Sequence, residues 1–165
     1  MSLSVVLIAR NQERTVGGLI ESVLRDVSGL ALRELLLVDS GSADATADVA
    51  LVLSAAVLKL PEADWLCAAA SRFAGFAATS GDYVLFLDGD MELCHGWLAR
   101  ALRVLESEPS VAAVAGRVVD PRGDRTGELP DWPLGESSVA GGARAATPVV
   151  CRCHRGGRPT GDRVR

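Results

Sequence analysis

The sequence predicts an α/β fold in which a mostly parallel, doubly wound sheet is flanked by helices. Strand-like and helix-like segments alternate along residues 4–120, which is typical of such folds. The predicted strands are continuously apolar rather than alternating, as expected for a sheet that is covered on both faces. The chain has 165 residues, 48% of them hydrophobic and 23% charged, which indicates a globular domain with its own core.

The first half of the pattern contains two strands and two helices. Short apolar runs of strand length occur at 4–9, SVVLIA, and at 33–39, RELLLVD. Between them, residues 16–27 carry apolar side chains three and four positions apart, which predicts an amphipathic helix. After the second strand, a turn containing Gly and Ser precedes a helix that we expect to begin near Asp44, a residue type suited to an N-cap.

The second half of the pattern adds three strands and two helices. AAVLKL at 55–60 predicts the third strand, and the Ala-rich segment 63–81 predicts a helix that a glycine ends. DYVLFLD at 82–88 is a continuous apolar run and predicts a buried strand. Residues 95–109 predict a helix that a proline ends, and 111–120 predict the last strand.

The character of the chain changes after residue 120. Residues 121–138 are rich in Pro and Gly and predict a loop. Residues 143–165 contain six arginines and no leucine, and they show no period from which an element could be placed. We therefore predict one domain, with the sheet in residues 1–120 and a loop-rich region with an unplaced tail in residues 121–165.

Composition narrows the classes of partner and compartment. A net charge of −4 argues against nucleic acid, because nucleic-acid-binding proteins usually present a basic face. The longest apolar stretch, 49–58, is far shorter than the roughly 20 residues that a membrane-spanning helix needs, and no charged leader precedes the first strand. The four cysteines show no disulfide-framework spacing, so we expect reduced thiols and a cytoplasmic location.

Polar side chains follow three of the predicted strands, at 10–13, 39–42 and 88–90. Because ligands of open α/β sheets bind beyond the carboxyl ends of the strands, we expect these segments to share one rim. Asp88 and Asp90 are two residues apart, so both carboxylates can face the same side. Carboxylates placed there form a metal site, a nucleophile or a turn, and in a metal site they would offer oxygen to a hard divalent cation such as manganese or magnesium. The intervening glycine allows close approach of the backbone.

Two nucleotide-binding alternatives lack their motifs, and one hydrolase alternative stays open. A dinucleotide-binding fold needs G-x-G-x-x-G after the first strand, where this chain has RNQERT, and no P-loop sequence occurs. A haloacid-dehalogenase-like phosphatase also ends an apolar strand in D-x-D, with the first Asp, here Asp88, as the nucleophile. That motif usually opens its fold, whereas here it follows three β-α units and precedes Met91 and Glu92.

Three segments in order carry a family resemblance: SVVLIARNQE, ELLLVDSGSADAT and AAASRFAGFAATSGDYVLFLDGDMEL. Together they resemble the inverting glycosyltransferases of family 2, which have a GT-A fold. The resemblance covers residues 4–120 well and reaches Gly141-Gly142 thinly. It implies that residues 1–120 form the Rossmann-like half that binds a sugar nucleotide, and that 121–165 form part of the acceptor region. The implied reaction is metal-assisted, inverting transfer of a hexose from a UDP- or GDP-sugar to an acceptor hydroxyl.

The resemblance also implies roles for individual residues. Asp90 would bind the cation, Asp88 would contact the ribose, the cation or its water, and Asp39 would accept from the base. Departures from the family pattern are Ile8 in place of a proline and Phe73 in place of an asparagine. The remaining sugar-nucleotide contacts would come from the first turn, from the Gly of D-x-D and from an arginine that neutralises the diphosphate, namely Ala9, Arg10, Asn11, Glu13, Gly89 and Arg72.

The family's general base has no match in this sequence. It is an Asp or Glu beyond the glycine motif, and Asp131, Glu136 and Asp162 do not fit that position. A frameshift or truncation after residue 142 would explain this, so an inactive remnant that only binds nucleotide is a second alternative. The acceptor is left open among glycans, lipids and small molecules. Peripheral association with the cytoplasmic face of a membrane and self-association through an exposed apolar face also stay open.

Overall fold

The computed structural model describes residues 2–61, 63, 66–116 and 148–153. Within them lie ten elements. Several expectations fall outside the described residues: the end of the strand expected at 111–120, the Gly141-Gly142 motif, and Asp131, Glu136 and Asp162. The elements in chain order are β1 (Leu3–Ala9), α1 (Val16–Asp26), β2 (Leu32–Asp39), α2 (Thr46–Val52), β3 (Ala56–Lys59), α3 (Ala68–Ala78), β4 (Tyr83–Asp88), α4 (Trp97–Ser107), β5 (Ala113–Ala115) and β6 (Val149–Arg152).

The strands form a six-stranded sheet in the order β3-β2-β1-β4-β6-β5. β1 to β4 are parallel, and β6 lies antiparallel between β4 and β5. The sheet is therefore mixed but mostly parallel, with helices on both faces, and the predicted fold class is confirmed. β1 lies between β2 and β4, so the carboxyl ends of these three strands meet at one edge of the sheet.

Both faces of the sheet are buried, and β1 shows why its sequence is continuously apolar. Val5 and Leu7 of β1 belong to the larger core, where α1 and α4 pack, with 0% of each residue exposed. Val6 and Ile8 belong to a second, smaller core on the opposite face. Successive residues of a strand point to opposite faces, so a strand that is covered twice needs apolar residues at every position.

β6 is the element that the sequence did not predict. Val149–Arg152 lies in the tail that showed no period, yet it pairs with β4 and β5 in the sheet, and Val150 is 0% exposed. The strand has only four residues, so its local pattern is too short to distinguish it from a loop. Its position is fixed by pairing with a strand more than sixty residues away in the sequence, such as Val84 opposite Cys151. Such long-range pairing leaves no local signal.

α3 lies against the smaller core at unusually close range. A Cβ atom on Gly75 would lie 2.3 Å from Cγ1 of Val6 and 3.0 Å from Cγ2 of Val38. Val6 and Val38 belong to β1 and β2, so the missing side chain lets the α3 backbone settle directly onto the two strands. The closeness of this contact fixes the distance between α3 and this face of the sheet.

We expect Gly75→Ala to destabilise the fold by about 1–3 kcal/mol, because a methyl group there overpacks the contact between α3 and the sheet. The matched control is Gly18→Ala in α1, where no atom lies within 4 Å of the added Cβ. This control should stabilise the protein by about 0.5–1 kcal/mol, since Ala is the better helix former. Urea unfolding measures both variants. Equal stability of the two variants would contradict the close packing of α3.

Candidate functional site

A cleft of about 300 Å³ opens at the carboxyl edge of the sheet. In the register of the sheet, Ala9 lies opposite Asp39 and Ile8 lies opposite Asp88, so the three polar strand ends lie side by side. The loop before α3 and the first turn of that helix form part of the lining. The lining residues are Ile8, Ala9, Arg10, Gln12, Ser40, Leu66, Cys67, Ala68, Ser71, Asp88, Gly89 and Asp90.

The Asp88-Gly89-Asp90 segment is a tight turn locked onto the end of β1. The backbone N–H of Gly89 donates to the carbonyl of Ile8 at 2.8 Å, and Oγ1 of Thr15 donates to the carbonyl of Gly89 at 2.8 Å. A Cβ atom on Gly89 would lie 2.8 Å from Cβ of Ala9, so a larger residue would push the turn away from β1. The glycine therefore sets the position of both carboxylates relative to the first strand.

Asp88 is paired with Arg72 of α3. Nη2 of Arg72 donates to Oδ1 of Asp88 at 2.5 Å, and the Asp88 side chain is 20% exposed. Burial raises the pKa of Asp88, the charge and hydrogen bond of Arg72 lower it, and the neighbouring Asp90 raises it. The pKa of this carboxyl is raised overall, so Arg72 offsets only part of the effect of removing the carboxylate from water.

The carboxylates of Asp88 and Asp90 fit a hard divalent cation in chemistry, but they supply only part of a coordination shell. Carboxylate oxygens are the donors that magnesium and manganese prefer. In the part of the chain that the structure describes, no group of three or more His, Cys, Asp or Glu side chains could hold a metal ion. A cation here would depend on oxygens of a bound ligand and on water, as in sites where phosphates complete the shell.

Asn11 and Glu13, two of the expected nucleotide contacts, bind the neighbouring loop through their side chains. Oδ1 of Asn11 accepts from the N–H of Ala43 at 2.8 Å, and Oε2 of Glu13 accepts from the N–H of Ala45 at 3.1 Å. In return, the N–H of Glu13 donates to Oδ2 of Asp44 at 3.1 Å. These bonds tie the loop after β1 to the loop after β2, and neither Asn11 nor Glu13 lines the cleft.

The helix that was expected to begin near Asp44 begins two residues later. α2 starts at Thr46, and Ala45 holds the N-cap position. Oδ1 of Asp44 nevertheless accepts from the N–H of Thr46 at 3.0 Å. Its carboxylate thus bonds the first residue of the helix and the first loop together.

Asp39 lies beneath the loop after β2 and is 2% exposed. Its Oδ1 accepts from the N–H of Ser42 at 2.9 Å, an Asx-type turn bond that shapes the loop. The residue directly follows the apolar part of β2, and its register partner on β1 is Ala9 of the cleft wall. The structure thus places Asp39 beside the cleft.

Seven residues that line the cleft were not among the predicted site residues: Ile8, Gln12, Ser40, Leu66, Cys67, Ala68 and Ser71. Oγ of Ser40 and Oγ of Ser71 are 2.7 Å apart, so a hydrogen bond joins the end of β2 to α3. Gln12 had a signal, since it lies in the same turn as Asn11. Cys67 and Ser71 had none, because only the packing of α3 onto the sheet brings the start of this helix to the rim.

The segment after Asp90 is held by the carboxyl-terminal half of α1. The buried carboxylate of Asp26 accepts from the backbone N–H groups of Gly96 and Leu98, at 2.5 and 3.1 Å. Oγ of Ser22 accepts from the N–H of Leu93 at 2.9 Å. These bonds satisfy donors at the start of α4 and fix the chain that follows the two aspartates.

No helix within the described ranges is long and apolar enough to cross a membrane.

Curated relatives of this chain are mycobacterial glucosyl-3-phosphoglycerate synthases. The one from Mycobacterium tuberculosis is 39% identical over 95 residues, which cover 54% of this chain and 29% of the relative. The one from Mycolicibacterium smegmatis is 37% identical over 95 residues, which cover 54% of this chain and 31% of the relative. The chain thus spans less than a third of the length of these relatives.

Solved structures of the Mycobacterium tuberculosis enzyme share the fold. The complex with Mn²⁺, uridine diphosphate and phosphoglyceric acid gives a TM-score of 0.58 at 33% identity and covers 68% of this chain and 41% of that chain. The complex with Mg²⁺ and uridine diphosphate gives a TM-score of 0.57 at 29% identity and covers 68% of this chain and 42% of that chain. A third, with Mn²⁺, UDP-glucose and phosphoglyceric acid, gives 0.57 at 29% identity and also covers 68% and 42%.

The family described as "Glycosyl transferase family 2" matches residues 4–159. This range extends past residue 120, where the sequence resemblance became thin, and it includes β6. It also contains all three strand-end segments and the cleft that they line. With this match over nearly its whole length, the chain belongs to glycosyl transferase family 2.

Proposed function

We propose that this domain binds a UDP-sugar together with manganese or magnesium in the cleft, and that it takes part in transferring the hexose to an acceptor hydroxyl. The observation that carries the proposal is the Asp88-Gly89-Asp90 turn, which presents two carboxylates beside the end of β1. UDP is favoured over GDP because structures of the related mycobacterial enzyme contain UDP or UDP-glucose. By the same comparison, glucose is the proposed sugar and a small phosphorylated acid is the proposed acceptor.

The family resemblance assigns the roles of the site residues, and their positions support them. Asp90 is exposed and Asp88 half-buried at the rim, so Asp90 would hold the cation and Asp88 would complete its protein ligands or contact the ribose. When bound, the cation acts as a Lewis acid on the leaving diphosphate. Arg10 is exposed at the cleft wall and supplies positive charge near the diphosphate. Asp39 is 2% exposed at the foot of the second loop; its Oδ1 holds that loop through the N–H of Ser42, and its other oxygen would accept from the base.

Asn11 and Glu13 act indirectly in this proposal. Their bonds to the N–H groups of Ala43 and Ala45 fix the second loop over Asp39. The nucleoside would then contact the cleft wall formed by Ala9, with the loop already in place. A preorganised loop lowers the entropic cost of ligand binding.

UDP with Mn²⁺ should raise the melting temperature of the protein, and Asp90→Asn should abolish that rise. At a ligand concentration of about 100 times Kd, binding stabilises the fold by about 2.7 kcal/mol, which corresponds to a shift of several degrees. The matched control is Asp48→Asn, an exposed aspartate near the start of α2, which should keep the full shift. Differential scanning fluorimetry with UDP and GDP in parallel measures the effect. An unchanged shift in Asp90→Asn would contradict the assignment of the cation.

UDP with Mn²⁺ should also protect Cys67 from alkylation. Cys67 is exposed and lines the cleft, whereas Cys94 is exposed on the segment before α4 and does not line it. A bound nucleotide should therefore slow the labelling of Cys67 with iodoacetamide by about tenfold or more at saturation, while Cys94 reacts as before. Peptide mass spectrometry separates the two sites within one sample. Equal labelling of Cys67 with and without nucleotide would place the ligand elsewhere.

Turnover separates the transferase from the two other interpretations. A transferase should release UDP from UDP-glucose when 3-phosphoglyceric acid is present, and Asp90→Asn should lose this activity. Binding of UDP without turnover would support the remnant that only binds nucleotide. Release of phosphate from a simple phosphoester, lost in Asp88→Asn, would support the phosphatase, although the position of the motif after three β-α units argues against it.

A further inference from the structure

One carboxylate of the proposed cation site is already engaged by a cation of the chain itself. Nη2 of Arg72 lies 2.5 Å from Oδ1 of Asp88, the shortest approach between opposite charges among the described ion pairs. The Asp88 side chain is 20% exposed and the Arg72 side chain 36%, so both are partly withdrawn from water. The guanidinium therefore occupies one of the two oxygens that Asp88 could offer to a metal ion.

A guanidinium and a divalent cation that bind the same carboxylate repel each other. At contact distance from one oxygen, the two cations would lie within a few ångströms of each other and repel strongly in a partly buried site. Asp90 alone offers one exposed carboxylate, and no third ligating side chain joins the pair within the described residues. A metal ion that binds without a nucleotide must therefore compete with Arg72 for Asp88, one of its two protein ligands.

We infer that Arg72 is an exchangeable partner of Asp88: it holds the carboxylate while the cleft is empty and passes to the diphosphate oxygens when the metal–nucleotide complex binds. The inference rests on the proposed function, since it takes the metal and diphosphate as the ligands of this site. Arg72 is in this sense a positioning residue that makes metal binding conditional on nucleotide. A guanidinium suits both partners, because carboxylates and phosphates present the same paired oxygens to its fork.

The surroundings of Arg72 allow its side chain to move while its backbone stays fixed. One residue earlier, Ser71 is fully buried and hydrogen-bonded to Ser40. Three residues later, Gly75 is pressed onto Val6 of β1. α3 is thus anchored on both sides of Arg72, and the exchange needs only rotations of a long side chain.

Arg72→Gln should change metal affinity and nucleotide affinity in opposite directions. Mn²⁺ alone should bind roughly twofold to fivefold more tightly, because a competing cation has been removed from Asp88. UDP at saturating Mn²⁺ should bind about tenfold more weakly, because a charged hydrogen-bond donor to the diphosphate has been lost. Electron paramagnetic resonance of free Mn²⁺ measures the first affinity, and isothermal titration calorimetry measures the second.

Two further variants give the comparison its controls. Arg100→Gln removes an exposed arginine from α4 and should leave both affinities unchanged. Arg72→Lys keeps the charge without the fork, so its Mn²⁺ affinity should stay near that of the wild type while its UDP affinity lies between those of the wild type and Arg72→Gln.

The outcomes separate the inference from the function on which it rests. Tighter Mn²⁺ binding with weaker UDP binding in Arg72→Gln supports the exchange. Weaker binding of both ligands, or no change in either, would overturn it while leaving the donor site standing, because the wild type would still bind UDP with Mn²⁺. If the wild type itself binds neither, the proposed function fails and the exchange fails with it.

Discussion

The backbone ladder that pairs β1 with β2 on one side and with β4 on the other is the constraint on which the site depends. Its register sets Ala9 opposite Asp39 and Ile8 opposite Asp88. Parallel strands lie about 4.8 Å apart. Asp39 and Asp88 therefore lie on either side of β1, about two strand spacings from each other. A slip of one residue would exchange the side chains that fill the two buried cores, and the close packing of each core opposes such an exchange.

The ionised carboxylate of Asp88 destabilises the folded state, because the site is partly buried. Burial and the charge of Asp90 raise the pKa of Asp88, and the charge and hydrogen bond of Arg72 only partly reverse the rise. A carboxyl whose pKa is higher in the folded state contributes its stability at low pH and loses it as the pH rises through that folded pKa. At neutral pH an ionised Asp88 therefore weakens the fold, and any cation that binds there offsets this cost. The site is poised for positive charge, whether it comes from an arginine or from a metal ion.

Most of the central strands and helices could be predicted because local sequence patterns determine them. β1, β2 and β4 are continuous apolar runs, and α1 buries Val16, Leu19, Ile20 and Val23 at the spacing that predicted it. Asp88 and Asp90 were predictable as a rim pair because they end such a run. β6 was not, since four residues carry no period and their place in the sheet comes from pairing with distant strands.

The parts of the site that the sequence could not predict are those made between loops. Asn11 and Glu13 have the residue types of ligand contacts, yet backbone N–H groups of the second loop take up an oxygen of each side chain. Nothing in their local sequence distinguishes a polar side chain that binds a ligand from one that binds a neighbouring loop. The pairing of Arg72 with Asp88 likewise arises only when α3 settles onto β1 through Gly75.

The lining of the cleft is chemically divided in a way that limits what it can bind. Ile8, Leu66 and Ala68 contribute apolar surface, while Asp88 and Asp90 contribute two negative charges. The two carboxylates outnumber Arg10, the one arginine of the lining, so an anion alone is disfavoured, and a cation alone would find no third ligating side chain in the described part of the chain. A ligand that combines a flat apolar group with an anion carrying its own divalent cation satisfies both parts of the lining. The lining of the cleft and the family of the chain thus favour the same class of ligand.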